Sequence, residues 1–361
     1  MKRIATLLLA LLPLTALFGA GNGEAATEES ILQVGLSGSP DTLDPQATTG
    51  TLTFQTVRSI YDTLVEPTME GEIVPALARE YEVSEDGTRW EFSLREGVMF
   101  HHGKELTADD VLATLERVSD PDFGSPNAQE YEVITSVEAA GRYTVVLTLD
   151  SPHAPLLATL ASGWSAILPA DLIRGGHDFG SEPVGTGPFT LVEWSRDSAL
   201  VLEKNDSYWK DGEPILDGVR FNIITERAVQ AQALIGGELH VADLIVEPEL
   251  SMIREHPSTR VDENPSSLVM VLAMNTGRAP LESLALRQGI AMAVDKQEVM
   301  DFAYSGGKPV GTFMNPTNPF YVDYTGMYPY DLTEARERIS NLGDIRELVM
   351  KLPQNYEPHV K

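Results

Sequence analysis

The sequence predicts an α/β protein built in lobes through which the chain passes more than once. Three observations carry this expectation. Stretches with the two-residue period of half-buried strands alternate along the chain with stretches whose apolar residues recur at helical spacing. No internal repeat and no low-complexity linker divides the 361 residues into separate beads. That length, with 42% hydrophobic residues, suffices for more than one core and excludes disorder over most of the chain.

The elements follow in order. Lys2 and Arg3 precede an apolar run from Ile4 to Ala20, broken at Pro13, with small residues up to Ala25 and Ala26. A charged start, a short apolar core and a small-residue exit define a secretory signal peptide, cleaved after Ala25 or Ala26. The run is short for a bilayer span, so residues 1–26 are read as a leader and not an anchor. Ile31 to Leu36 reads as a first strand that enters the loop Ser37-Gly38-Ser39-Pro40. Phe54, Val57, Ile60 and Leu64 recur at helical spacing. The turn signal Asp86-Gly87 precedes an alternating strand, with Trp90, Phe92 and Leu94 on one face.

Thr107 to Val118 predicts a helix. Thr107 and Asp110 have capping-box spacing, and Val111, Leu112, Leu115 and Val118 form its apolar stripe. Tyr143 to Leu149 is a further alternating strand. Phe189 to Trp194 and Ala199 to Glu203 read as a pair, followed by a strand at Val219–Ile224 and a helix at Val229–Ile235. Beyond these, the pattern predicts a strand at Leu268–Met274 and one long helix from Leu284 to Phe302. A helix at Leu332–Leu342 and the start of a strand at Leu348–Leu352 complete the reading.

Composition excludes several functions. With 54 acidic against 26 basic residues the net charge is -28, which argues against nucleic acid and anionic lipid as partners. There is no cysteine, hence no disulfide, no thiolate nucleophile and no lipid-modified cysteine. Gly185-Thr186-Gly187-Pro188 lacks the rest of a phosphate loop, and Pro188 removes an amide donor, so it reads as a turn. His101, His102 and Glu105 do not have metal-site spacing and read as loop residues. Ser305-Gly306-Gly307-Lys308 fits a loose Ser-x-x-Lys pattern but lacks that pattern's partner motifs, and reads as a glycine helix end. No catalytic constellation, metal site or cofactor site emerges.

An ordered set of blocks resembles one family. It runs from Leu43-Asp44-Pro45-Gln46 through Ile60-Tyr61-Asp62-Thr63-Leu64-Val65-Glu66 and Val74-Pro75-Ala76-Leu77-Ala78. Its clearest part is Trp90 to Val98, Phe100-His101-His102-Gly103 and Thr107-Ala108-Asp109-Asp110-Val111. Gly185-Thr186-Gly187-Pro188-Phe189, Asn205-Asp206-Ser207-Tyr208-Trp209, Met274-Asn275-Thr276 and Ala293-Val294-Asp295-Lys296 continue it. The chain is similar to the extracellular solute-binding proteins of family 5, the peptide, opine and nickel class that serves ABC importers. His102 departs from the Asp or Asn common there.

The resemblance implies a two-lobed, clam-like periplasmic binding protein of type II, with an extra subdomain in lobe I and an incomplete lobe II. The boundaries it implies are a lobe I main subdomain at 27–66, a second subdomain at 67–182, a return segment at 183–268 and the start of lobe II at 269–361. It implies a monomer without a lipid anchor, held in the periplasm, that captures a small solute between the lobes and delivers it to a membrane permease. A di- or oligopeptide is the expected ligand, with nickel chelates, haem, opines and sugars open. Carried over by position, Thr49, Gly50 and Thr51 touch the ligand from lobe I, and Ser125, Pro126, Asn127 and Tyr131 reach the same cleft. Hydroxyls and a bare glycine suit a close approach to peptide groups, although Thr51 also suits a helix N-cap. The competing expectation is a secreted hydrolase, which needs an activated nucleophile or a metal.

Overall fold

The computed structural model describes residues 30–351, apart from 244, 246–247, 264–268, 304–306, 315, 317–320, 341, 344 and 346–347. The leader at 1–26 and Ser305-Gly306 lie outside the described residues. In chain order the first elements are β1 (Ile31–Leu36), α1 (Thr51–Val57), β2 (Val65–Pro67), β3 (Ile73–Pro75), β4 (Ala78–Val83), β5 (Arg89–Leu94) and α2 (Ala108–Ser119). Then come β6 (Ile134–Gly141), β7 (Thr144–Leu149), α3 (Leu156–Leu160), α4 (Ala170–Arg174), β8 (Phe189–Ser195), β9 (Ala199–Lys204) and β10 (Gly218–Ile223). The last are α5 (Arg227–Ile235), β11 (Val241–Ala242), α6 (Glu249–Glu255), α7 (Leu284–Ala293), α8 (Lys296–Ala303) and α9 (Leu332–Ser340).

Two sheets organise the described chain. The first has the order β11-β1-β10-β9-β8. β1 runs parallel to both β10 and β11, while β9 is antiparallel to β10 and to β8. The second is the antiparallel sheet β4-β5-β7-β6, and β2 pairs with β3 as a separate ribbon. The chain leaves the first sheet after β1, builds the whole second sheet, and returns through β8.

Each sheet has its own core. In the second, the alternation of β5 buries Trp90, Phe92 and Leu94 against Val145 and Leu147 of β7 and the α2 stripe of Val111, Leu115 and Val118. The capping box of α2 forms as its spacing requires: Asp110 accepts from the Thr107 main-chain N–H at 2.8 Å. The first core gathers Leu36, Leu43, Val57, Ile60, Tyr61, Phe179, Leu200, Leu202, Val219 and Phe221.

Four expectations need correction. α1 ends at Val57, and the buried Ile60 and Leu64 lie beyond it. The main-chain oxygens of Ser59 and Ile60 are taken by the N–H groups of Phe189 and Gly187, each at 2.9 Å, which draws the chain off the helical path. The long helix is two: Val294 is extended, and Asp295 Oδ1 accepts from the N–H groups of Gln297 and Glu298, capping α8 as a new start. Residues 269–274 form no strand, and Met270, Val271 and Leu272 are exposed. Residues 348–351 form none either, and Leu352 lies outside the described residues. A strand is held by its ladder, and no described neighbour pairs with either run.

Candidate functional site

β1, β10 and β11 are parallel, so their C-terminal ends share one edge of the first sheet. Crevices outside such strand ends are where α/β proteins take ligands. The loop from Asp41 to Gly50 lies between the end of β1 and the start of α1, at that edge.

The loop is held from beneath by a polar network. Arg117 of α2 donates to both carboxylate oxygens of Asp44, at 2.5 and 3.2 Å, and to Gln46 Oε1 at 2.7 Å. Gln46 is fully buried and donates to the Thr114 main-chain oxygen at 3.0 Å. Ser125 Oγ donates to the Gln46 main-chain oxygen at 2.7 Å, and Asn127 Nδ2 to that of Thr48 at 2.9 Å. At the outer end, Thr48 Oγ1 accepts from the Gly50 N–H at 2.8 Å and donates to Asp41. Thr53 Oγ1 reaches the same carboxylate at 2.5 Å. Partial desolvation opposes ionisation of Asp41, but the hydrogen bonds from Thr53 and Thr48 hold its carboxyl below the ordinary value.

This arrangement leaves Thr49 and Thr51 exposed and Gly50 half-exposed, on a hydrogen-bonded base. Thr51 is not the N-cap. Gly50 holds that position, and Thr51 is the first residue of α1, so its hydroxyl is not spent on capping. The positions carried over from the second subdomain differ in kind. Asn127 is 6% exposed and gives its amide to the loop, whereas Tyr131 is 1% exposed and shares a 2.5 Å hydrogen bond with Ser165 Oγ in the core. The Asn127 amide nitrogen and the Tyr131 hydroxyl are both used inside the protein, because a buried donor demands a partner. The resemblance expects both positions at the ligand; in this structure the Asn127 amide and the Tyr131 hydroxyl bond within the protein.

A second polar node joins the two cores, and sequence reasoning missed it. Asp62 is 8% exposed. Its carboxylate accepts from Thr186 Oγ1 at 2.8 Å, Trp209 Nε1 at 2.9 Å and Tyr208 OH at 3.2 Å. Burial pushes its pKa up, against those donors and the nearby Lys210 charge. The turn Gly185–Pro188 passes over Ile60 so closely that a Cβ on Gly187 would stand 2.5 Å from the Ile60 carbonyl carbon. His101 is part of this clamp: its ring contacts the Gly187 oxygen at 3.1 Å and the Gly185 N–H at 3.3 Å. Burial lowers its pKa. His101 sits in a turn, as the sequence reading expects, with its ring half-buried in this clamp, whereas His102 is exposed. The available signal was the recurrence of short polar-aromatic blocks, from Ile60–Glu66 to Asn205–Trp209, which converge on one buried carboxylate.

The sheet interrupted by an inserted antiparallel subdomain is an architecture similar to that of solved periplasmic binding proteins. The chain belongs to the bacterial extracellular solute-binding proteins, family 5, whose profile matches residues 72–343. It is 30% identical to the di/tripeptide-binding protein 1 of Pseudomonas aeruginosa (strain UCBPP-PA14) over 90% of this chain and 66% of that protein. It is 29% identical to the glutathione-binding protein GsiB of Salmonella paratyphi A over 84% of this chain and 59% of the relative. Among solved structures it is similar to the periplasmic binding protein DppA of Helicobacter pylori in complex with the peptide STSA. The TM-score is 0.78 and the identity 30%, covering 87% of this chain and 66% of that one. The binding protein AgaA of A. tumefacien R10, in complex with agropinic acid, gives a TM-score of 0.77 at 30% identity over 87% of this chain and 64% of that one. The two-lobed α/β class expected from the sequence is the class of these structures. The chain spans 59% to 66% of the length of these two curated relatives.

Proposed function

We propose that this chain captures a small solute outside the cytoplasmic membrane and delivers it to the permease of an ABC importer, acting as a non-catalytic monomer. The solute is a di- or oligopeptide, and Thr49, Gly50 and Thr51 meet its main-chain groups. The observation that carries this reading is the braced loop, which presents two exposed hydroxyls and a half-exposed glycine at the parallel strand ends. The peptide-binding and glutathione-binding relatives support the ligand class. The boundaries follow the resemblance: a main subdomain at 27–66 and 183–268, a second subdomain at 67–182 and lobe II from 269. The presence of two separate cores supports the division into two subdomains, with Leu64 and Val65 packing in one and Ala166, Leu168 and Phe179 in the other.

Native mass spectrometry of the purified chain with a defined di- and tripeptide mixture tests the proposal. Stoichiometric retention of intact peptide is the expected result. Cleavage of the peptides supports a secreted hydrolase instead, and retention of none overturns the peptide assignment.

A further inference from the structure

One side-chain contact ties α1 to the end of β11. Gln55 Nε2 donates to Asp243 Oδ2 at 2.9 Å, across 188 positions of sequence. The remaining oxygens of the same two groups, Gln55 Oε1 and Asp243 Oδ1, are shielded from water and have no hydrogen-bond partner among the described residues. Buried oxygens left unpaired are costly, and two in a single contact call for a donor. Exchanging the amide nitrogen and oxygen of Gln55 does not supply one, since it sets an oxygen against Asp243 Oδ2 instead. One proton satisfies both atoms. A neutral carboxylic acid and a primary amide are complementary, each offering one donor and one acceptor to the other.

We infer that Asp243 is protonated on Oδ1 in the folded chain and donates to Gln55 Oε1, closing an acid–amide pair that latches α1 to the exit of β11. The other groups acting on this carboxyl are the main-chain N–H groups of Ser37, just past β1, and of Asp243 itself. Among the described residues no charged side chain acts on it. Burial raises its pKa, and neither the hydrogen bond from Gln55 nor the approach of the two amides, which fall outside hydrogen-bond geometry to Oδ1, reverses that direction. The latch therefore has a pH sense. A carboxyl whose folded pKa is raised contributes stability that is fully present below the unfolded value and is lost as pH rises through the folded one. α1 begins at the exposed Thr51, so release of the latch frees the segment that follows the candidate loop.

The test uses the full chain and needs no ligand, so its failure leaves the transport proposal standing. In Asp243→Asn an N–H replaces the O–H, which keeps both hydrogen bonds and removes the titration. The denaturation midpoints of wild type and variant are compared from below the ordinary aspartate range to above neutrality. The expected result is coincidence at low pH, with the wild type falling below the variant as pH rises. A constant difference, or a wild type that gains on the variant with rising pH, overturns the inference. The carboxyl-carbon NMR titration of Asp243 in the wild type decides the matter should the variant fail to fold. A midpoint above the ordinary aspartate value is expected, and one at or below it overturns the latch.

Discussion

Asn127 donates its side-chain amide to the main-chain oxygen of Thr48 at 2.9 Å, joining two segments that are 79 residues apart. The bond makes the second subdomain the foundation of a loop that grows from the first sheet. Replacing Asn127 with Ala leaves the Thr48 oxygen buried without a donor, a loss of about 1–3 kcal/mol. Chemical denaturation checks the magnitude. Faster amide exchange at Gly50, whose N–H bonds Thr48 Oγ1, checks that the loop has loosened.

The exposed residues above that bond are the proposed ligand contacts. Changing Thr49 and Thr51 together to Val keeps shape and removes two hydroxyls. Peptide affinity measured by calorimetry is expected to fall roughly tenfold or more, at about 1–3 kcal/mol per unpaired group. Stability is expected to stay unchanged, because Gly50 and not Thr51 occupies the N-cap of α1. Unchanged affinity removes these residues from the site.

The crossing of Gly187 over Ile60 admits no side chain. Its Cβ in Gly187→Ala meets Ile60 main-chain atoms at 2.5 and 2.6 Å, and main chain cannot rotate aside. A destabilisation of about 1–3 kcal/mol is expected, at the upper end if the Asp62 node is strained as well. The denaturation midpoint measures it, and tryptophan fluorescence follows Trp209, which donates to Asp62.

Glu105, near the subdomain surface, contributes to acid sensitivity. Hydrogen bonds from Arg142, Tyr143 and the Gly97 N–H hold the pKa of Glu105 down from 4.5 to about 2. A depressed carboxyl contributes stability that is present above its unfolded value and disappears as pH falls through the folded one. The stability of wild type over Glu105→Gln is therefore expected to be greatest above pH 4.5 and to shrink toward pH 2. An advantage that does not change across that window refutes the assignment.

The break between α7 and α8 rests on Asp295, whose Oδ1 accepts from two N–H groups. Asp295→Ala is expected to cost about 1 kcal/mol and to speed hydrogen exchange at Gln297 and Glu298.

Much of this was legible in the residue order. The alternation of Trp90, Phe92 and Leu94, the Thr107–Asp110 box and the α2 stripe each describe a local geometry, and each formed as its spacing required. Even the split at Asp295 had a signal, since Asp295 and Glu298 have capping spacing, but the apolar period from Leu286 to Val294 masked it. The runs at 269–274 and 348–351 show the limit: an apolar pattern states that a segment suits a strand and cannot supply the partner that makes it one.

By itself, then, the sequence determined the α/β class, the acidic and cysteine-free surface chemistry, those local elements whose signal lies within a few residues, and the family. Tertiary structure alone decided which polar groups meet. Asp62 finds Thr186 and Trp209 across 124 and 147 positions, Asp44 finds Arg117 across 73, and Gln55 finds Asp243 across 188. It also decided that Asn127 and Tyr131 are buried while Thr49 and Thr51 stand exposed. The physical reason is range. Helix caps and strand alternation arise among neighbours within a few residues, whereas the pairing of a buried polar atom is set by whichever distant segment the packed cores bring within about 3 Å.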